Sequence, residues 1–357
     1  MRLLPWLLLS VPVAPLLHYL VHAGTIWVFA AAGLGIGVLA DWVRRATDQL
    51  ADRAGPAIGG LLNVTFGNTA EFLLAIFVLF SGNPEVVRAQ LAGSIVGSTL
   101  FGLGFALLVG GWRRERQRFS RERAGLLASL LIVVVIALLL PAVFAYSLRS
   151  DVQPSAWRLS EQGISFGVSA VAILLYCGNL LYTLVTHRDV FAREGGGEAS
   201  STWSLKRSLV VLIAATAAIA CEAQIMSSAL SATAQSLHVS TYFLGIVVLA
   251  LIGNSADIFD SAYFASEDRL GLVMSICIGS AVQIALLVAP LLVFASVLVG
   301  HPMNLVFSQP LELFALAGAA FIVNAITSDG ETTWFEGALL LGVYIVLAFA
   351  FFFLGQS

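Results

Sequence analysis

Three observations predict an all-α polytopic membrane protein of about eleven transmembrane helices, arranged as a first helix plus two inverted five-helix repeats. The 357-residue chain is 59% hydrophobic and only 11% charged, whereas about a quarter of an average soluble domain is charged. Apolar runs of roughly 20 residues, long enough for a helix to cross the hydrocarbon core, recur from end to end. One polar motif also occurs twice inside such runs, as Gly67-Asn68-Thr69-Ala70-Glu71 and Gly253-Asn254-Ser255-Ala256-Asp257, at an offset of 186 residues.

The span length places the helices at roughly 4–22, 24–45, 57–80, 84–111, 122–146, 162–186, 207–234, 240–265, 270–299, 308–328 and 333–354. Membrane strands are excluded, because no ten-residue alternating pattern occurs. The N-terminal run reaches about residue 21, long for the apolar part of a signal peptide, so it reads as an uncleaved first span. His18 and His22 in "HYLVH" lack the glutamate of a zinc-protease helix and read as the polar end of that span. The second span runs into "DWVRRATDQLADRAGP", read as an amphipathic continuation at or beyond the membrane surface. Cys177, Cys221 and Cys277 fall inside apolar runs without metal-ligand spacing and read as buried small residues.

The polar, Gly/Ser-rich stretch "HRDVFAREGGGEASSTW" (187–203) divides the chain. The expected organisation is an N-terminal helix (1–23), a first five-helix repeat (24–186), a cytoplasmic linker (187–206) and a second five-helix repeat (207–357). Gly93-Ser94 and Gly279-Ser280 share the 186 offset of the acidic motifs, with no gap between the two landmarks. Five is odd, so the second copy enters the membrane upside down, as in many secondary transporters. The loop 112–123 carries six arginines. With eleven spans it lies on the same side as the linker, Arg2, Arg53 and Arg269, and the positive-inside rule puts the N-terminus in the cytoplasm and the C-terminus outside. The arginine cluster is thus a topology determinant, and no nucleic-acid partner is expected.

Glu71 and Asp257 carry the functional reading. A charged residue at the centre of a transmembrane helix costs about 2.5–3.5 kcal/mol on insertion scales, so such groups face a water-filled path and a partner. A helix break at Gly-Asn would release backbone carbonyls beside the carboxylate. Inverted repeats bring the two motifs together near the midplane. Carboxylates from Glu71 and Asp257, amide oxygens from Asn68 and Asn254, the hydroxyls of Thr69 and Ser255 and backbone oxygens form an all-oxygen set suited to a hard cation such as Ca²⁺. Two acids so close in low dielectric do not both stay ionised without that cation, so protons compete with it. Competition plus alternating access gives antiport. Gln90 and Gln283 line the path or bond neighbouring helices; Ser94 and Ser280 line it or allow close packing. Asp41 and Glu222, in the spans preceding the two motifs, are placed in the vestibule. Asp260, one turn after Asp257 on the same helix face, either supports Asp257 or faces the vestibule.

Together with "GSIVGS", "GSAVQIAL" and the ending "SDGETTWFEGALLLGVYIVLAFAFFF", the repeated motifs resemble the cation/proton exchanger family of the calcium:cation antiporter superfamily over about residues 35–355. The resemblance implies Ca²⁺/H⁺ exchange, with the essential acids at Glu71 and Asp257, coordinating asparagines at Asn68 and Asn254, flanking glutamines at Gln90 and Gln283, and the acids of the preceding helices at Asp41 and Glu222. The chain departs from the family pattern at Asp257 and Ile258, where Glu-His is usual, at Ser98, where asparagine is usual, and in a linker with few acids. Ca²⁺ enters as transported substrate and no cofactor is expected. The expected partners are Ca²⁺, H⁺ and the lipid bilayer, with a homo-oligomer left open, and the compact length suits a bacterial inner membrane. The alternatives are exchange of another cation, Na⁺ as the driving ion, an intramembrane hydrolase using Asp257 and Asp260, and a non-transporting scaffold.

Overall fold

The structure, a computed structural model, describes residues 5–112, 114–148, 154–182, 202–307 and 309–354. Most of the predicted linker and the extreme C-terminus lie outside these residues. After an apolar N-terminal helical segment, Trp6–Val21, the main helices are α1 (Thr25–Gly67), α2 (Thr69–Phe80), α3 (Pro84–Val96), α4 (Leu103–Gly111), α5 (Arg121–Leu148), α6 (Pro154–Leu181), α7 (Leu205–Leu237), α8 (Ala250–Gly253), α9 (Ser255–Ser266), α10 (Leu270–Gln283), α11 (Ala289–Val299), α12 (Pro310–Ile326) and α13 (Trp334–Leu354).

The run assigned to α1 doubles back. Gly59 lies so close to Ala51 that an added Cβ would stand 2.6 Å from the Ala51 carbonyl oxygen. A straight helix, rising 1.5 Å per residue, would hold these two residues about 12 Å apart. The run therefore contributes one membrane-length arm, Thr25–Ala54, and starts a second, Leu61–Phe80. The first arm extends past the predicted end at residue 45, so the segment read as a surface continuation is packed inside the protein; Val43, Ala46 and Leu50 are buried. Among the described residues, eight helices have the length and apolarity of a span, or nine when the bent pair Thr241–Gly253 and Ser255–Ser266 counts as one; Trp6–Val21 and Pro310–Ile326 are apolar but shorter. These segments fall at the eleven predicted places, but two are too short to count as full spans by length alone.

The core follows the pseudo-repeat. The first arm of α1 packs along α7, its counterpart in the second half, and α3 packs on the π-helical turn Leu244–Leu249. The outside is as apolar as the core. Leu298 is 90% exposed, and Trp27, Leu174, Phe321 and Val346 are likewise exposed, a surface that fits hydrocarbon rather than water. Cys277 is buried as expected, but Cys177 and Cys221 are exposed. They point outwards from apolar helices, where lipid accommodates a thiol as readily as a core does.

Hydrogen bonds at the two ends fix which loops lie together. At one end, Arg114 donates to the Ser266 carbonyl at 3.0 Å and Gln117 to Asp268 Oδ1 at 2.8 Å. A two-residue antiparallel ladder there pairs Gln117 with Thr332 and Arg118 with Glu331. The basic loop thus meets the loops after α9 and α12. The Arg116 hydrogen bond holds the Glu331 carboxyl below its usual range. This clasp is therefore fully formed above the ordinary glutamate pKa of about 4.3 and weakens as pH falls through the lowered value. At the other end, Arg88 donates to Asn304 Oδ1 at 2.7 Å, and Gly82 lies beside His301.

Just before α7, Trp203 is fastened to α1. Its N–H donates to Gln49 Oε1 at 3.0 Å, Arg53 donates to its carbonyl, and its ring stacks on Trp42 with centroids 5.9 Å apart.

Close approach between the halves depends on Gly93. A Cβ there would stand 1.8 Å from the Ile246 carbonyl oxygen, a backbone atom that cannot turn aside. Gly93→Ala should therefore cost about 3 kcal/mol, at the upper end of overpacking penalties. Gly163→Ala, with open space around it, should not. The check is the apparent melting temperature of the two purified variants in one detergent.

Candidate functional site

Both acidic motifs break their helices. The first helix stops at Gly67 and restarts at Thr69, with Asn68 at φ −102°, ψ 21°; the second stops at Gly253 and restarts at Ser255, with Asn254 at φ −88°, ψ 3°. The second break bends the span by 53°. A helix end leaves its last carbonyls, and the next helix its first N–H groups, without helical partners. Glu71 and Asp257 each stand in the first turn of the restarted helix, where the positive end of the helix dipole favours an anion. Each break thus sets freed carbonyls and a carboxylate close together along the chain.

The two repeats hold each other's asparagines. Asn68 of the first donates to Gln283 Oε1 at 2.8 Å and accepts from the Ser280 hydroxyl at 3.2 Å, both on α10 of the second. Asn254 of the second donates to the Ser94 carbonyl at 3.1 Å, on α3 of the first. The pairs Asn68–Ser280 and Asn254–Ser94 interchange under the 186 offset. The π-helical turns Gly97–Gly102 and Ile284–Val288 are also equivalent under it, and such turns recur at functional sites. The breaks themselves touch: a Cβ on Gly253 would lie 3.3 Å from Glu71 Cβ. Gln90, fully buried, donates to the Glu71 carbonyl at 3.4 Å. The structure thus gathers Asn68, Glu71, Gln90, Ser94, Asn254, Asp257, Ser280 and Gln283.

The two acids sit in different surroundings. Glu71 is 1% exposed, and neither of its oxygens has a hydrogen bond of good geometry, although the Ser94 hydroxyl and Asp257 are near enough to interact electrostatically. The Asp257 side chain is 18% exposed, and its Oδ1 accepts from Arg44 Nη1 at 2.7 Å. Arg44 Nε also pairs with Asp260 Oδ2 at 2.9 Å. Asp257 and Asp260 thus share one guanidinium on a common helix face, so Asp260 does stand beside Asp257, with the arginine between them. This arrangement is unlike the opposed acids of an aspartyl hydrolase.

Asp41 is buried and paired with Arg45 at 2.7 Å. It lies one turn before Arg44, within its electrostatic reach. Glu222 is buried against Gly35 of α1, its oxygens without hydrogen bonds. Nothing joins Glu222 directly to the paired breaks. Ser98 and Ile258, two departures from the family pattern, are both buried, and Ile258 packs on Gly102.

Sequence reasoning missed Arg44, because "VRRAT" was read as part of a surface segment. The signal was present: Asp41, Arg44 and Asp48 recur at i, i+3 and i+7, the spacing of one helix face. Among the described residues, no three acidic, histidine or cysteine side chains converge as a ligand cluster. A cation held here must draw on two carboxylates, amides and backbone carbonyls.

Comparison with known proteins identifies the family. The profile of the family described as sodium/calcium exchanger protein matches residues 24–185 and 207–353. The Ca²⁺/H⁺ antiporter of Aphanothece halophytica is 37% identical, covering 97% of this chain and 95% of its own. The antiporter ChaA of Bacillus subtilis is 36% identical over 94% of each. The solved structure of native YfkE superposes with a TM-score of 0.83 at 32% identity, covering 97% of this chain and 98% of its own. The H⁺/Ca²⁺ exchanger CAX, 16% identical with a TM-score of 0.71, shares the fold. With both repeats matched and relatives spanning almost its whole length, this integral membrane chain belongs to the sodium/calcium exchanger protein family.

Proposed function

We propose that the chain is a secondary active transporter that exchanges Ca²⁺ for H⁺ by alternating access. The observation that carries this reading is the meeting of two broken helices, one from each repeat, which bring Glu71 and Asp257 together behind reciprocal Asn68 and Asn254 contacts. The relatives named as Ca²⁺/H⁺ antiporters support the choice of ions. Glu71, Asp257, Asn68 and Asn254 hold the cation, and backbone carbonyls at the breaks complete a shell of the six to eight oxygens that Ca²⁺ takes. Ser94, Ser280, Gln90 and Gln283 fix the asparagines and breaks in place. Asp41, Asp260 and Glu222 belong to the approach path.

Glu71 is the exchanging group. It is almost wholly buried beside the Ser94 hydroxyl, with no cation paired to it among the described residues, and an uncompensated negative charge there costs several kcal/mol. Its charge is balanced in turn by the cation and by a proton. Either load neutralises the gap enough for the repeats to rock past it, whereas an empty ionised site does not move. That coupling is what makes the exchange obligatory.

The orientation accompanying this reading has the N-terminus in the cytoplasm and the C-terminus outside, in a bacterial inner membrane, with eleven spans including the two shorter helices. Its support is the arginine asymmetry and the clustering of the loops after α4, α9 and α12 at one end.

Three outcomes follow. In sealed vesicles, an imposed pH gradient should drive ⁴⁵Ca²⁺ uptake, and Mg²⁺ should compete weakly; uptake that needs Na⁺ instead would identify a different driving ion. Glu71→Gln keeps size but loses the charge, and should reduce exchange at least 100-fold while the protein still inserts normally. Appreciable coupled flux in that variant would remove Glu71 from the mechanism. Cysteine tags at positions 118 and 195 should react from the cytoplasmic side and a tag at 357 from outside; opposite sides for 118 and 195 would break the eleven-span count.

A further inference from the structure

We propose that Arg44 is a tethered cation: its guanidinium occupies the second repeat's carboxylates, and a divalent cation that binds there must displace it. Arg44 is then an affinity-determining residue of the exchange reaction. The inference rests on the Ca²⁺/H⁺ reading above and deepens it.

The geometry is that of a bound ligand. Nη1 lies 2.7 Å from Asp257 Oδ1 and Nε lies 2.9 Å from Asp260 Oδ2. One planar group thus spans two carboxylates, a match that suits arginine and not lysine. A calcium ion on Asp257 needs its oxygens at about 2.3–2.6 Å. The oxygen facing Arg44 is already taken, and a guanidinium and a dication on one small carboxylate repel each other strongly. Each therefore weakens the other's hold on Asp257.

The clamp is also reachable and reversible. The side chains of Arg44, Asp257 and Asp260 are 23%, 18% and 24% exposed, so the clamp is not sealed inside the packed core as Glu71 is. Arg44 also has somewhere to go. Asp41, which also pairs with Arg45, lies three residues before it and Asp48 four after it, on its own helix face, and both attract it electrostatically. The long side chain can swing from α9 back to its own helix.

The first repeat has no such device. Glu71 has no arginine, whereas Asp257 has one. The shorter acid at 257 suits the same arrangement, since a retracted carboxylate leaves room for a guanidinium where a cation would otherwise sit.

Competition of this kind lowers apparent affinity by the fraction of protein in which Arg44 has released the site. The experiment is pH-gradient-driven ⁴⁵Ca²⁺ uptake in proteoliposomes, with Ca²⁺ titrated at fixed pH on both sides. Arg44→Gln should lower the KM for Ca²⁺ about tenfold with Vmax within a few-fold of wild type. Arg44→Lys, limited to a single-point contact, should fall between the two. Free guanidinium at millimolar concentration should compete with Ca²⁺ in Arg44→Ala, which has a vacancy for it, and leave the wild type unaffected. A purely structural clamp predicts instead a loss of Vmax and thermal stability at constant KM, and a fixed remote charge predicts that Arg44→Lys behaves as wild type; either result overturns the inference. If Arg44→Gln is not recovered folded, Arg44→Lys decides, and a KM at or above wild type overturns it. Wild-type vesicles that take up no Ca²⁺ overturn the exchange reading and this inference with it, whereas active wild type with an unchanged variant KM overturns this inference alone.

Discussion

A carboxylate buried in low dielectric is tolerable only if something balances it, and the interior of this protein is arranged around that constraint. Glu71 sits at the start of a helix, where the dipole helps, beside a second helix start that carries Asp257. The breaks at Asn68 and Asn254 put both starts in the interior instead of at the surface. Each break exposes backbone groups that hydrocarbon cannot satisfy, so each is tolerated only where the opposite repeat covers it. The reciprocal contacts of Asn68 with Ser280 and Gln283, and of Asn254 with Ser94, serve that purpose. Helix geometry, repeat pairing and chemistry are therefore linked: removing the pairing leaves the breaks unsupported, and removing the breaks leaves the acids without a gap to face.

The pseudo-symmetry is closer in backbone than in side chains. The two asparagines, two serines and two π-helical turns correspond, but the acids do not share an environment. One is sealed; the other is partly exposed and clamped by Arg44 with Asp260. A transporter built from identical halves would have equal wells on both repeats. Here the two acids differ in burial and in partners.

Much of this was legible in the sequence. The paired motifs and Gly-Ser landmarks at a constant offset announced the inverted repeat, and the Gly-Asn steps announced the helix breaks. Asn68, Gln283 and Ser280, named separately, lie in one hydrogen-bonded group. What escaped was the reach of a long side chain. Periodicity locates Arg44 on the face of Asp41 and Asp48, but only the tertiary packing of α1 against α9 shows that its guanidinium arrives at Asp257 more than 200 residues away. The outward direction of Cys177 and Cys221 escaped for a related reason. In a membrane protein both faces of a helix are apolar, so hydropathy cannot tell core from lipid. The doubling back near Gly59 was anticipated as a gap between spans, though not the extension of the preceding arm to residue 54.

Trp203 has a consequence for how the halves are joined. It is stacked on Trp42 and hydrogen-bonded to Gln49 and Arg53, so the leading end of the second half is moored to the first by contacts rather than by the peptide chain alone. Covalent continuity across residues 187–201 is thus not what registers α7 against α1. The start of α7 is held against α1 by a stacked ring and two hydrogen bonds that belong to folded elements of both halves.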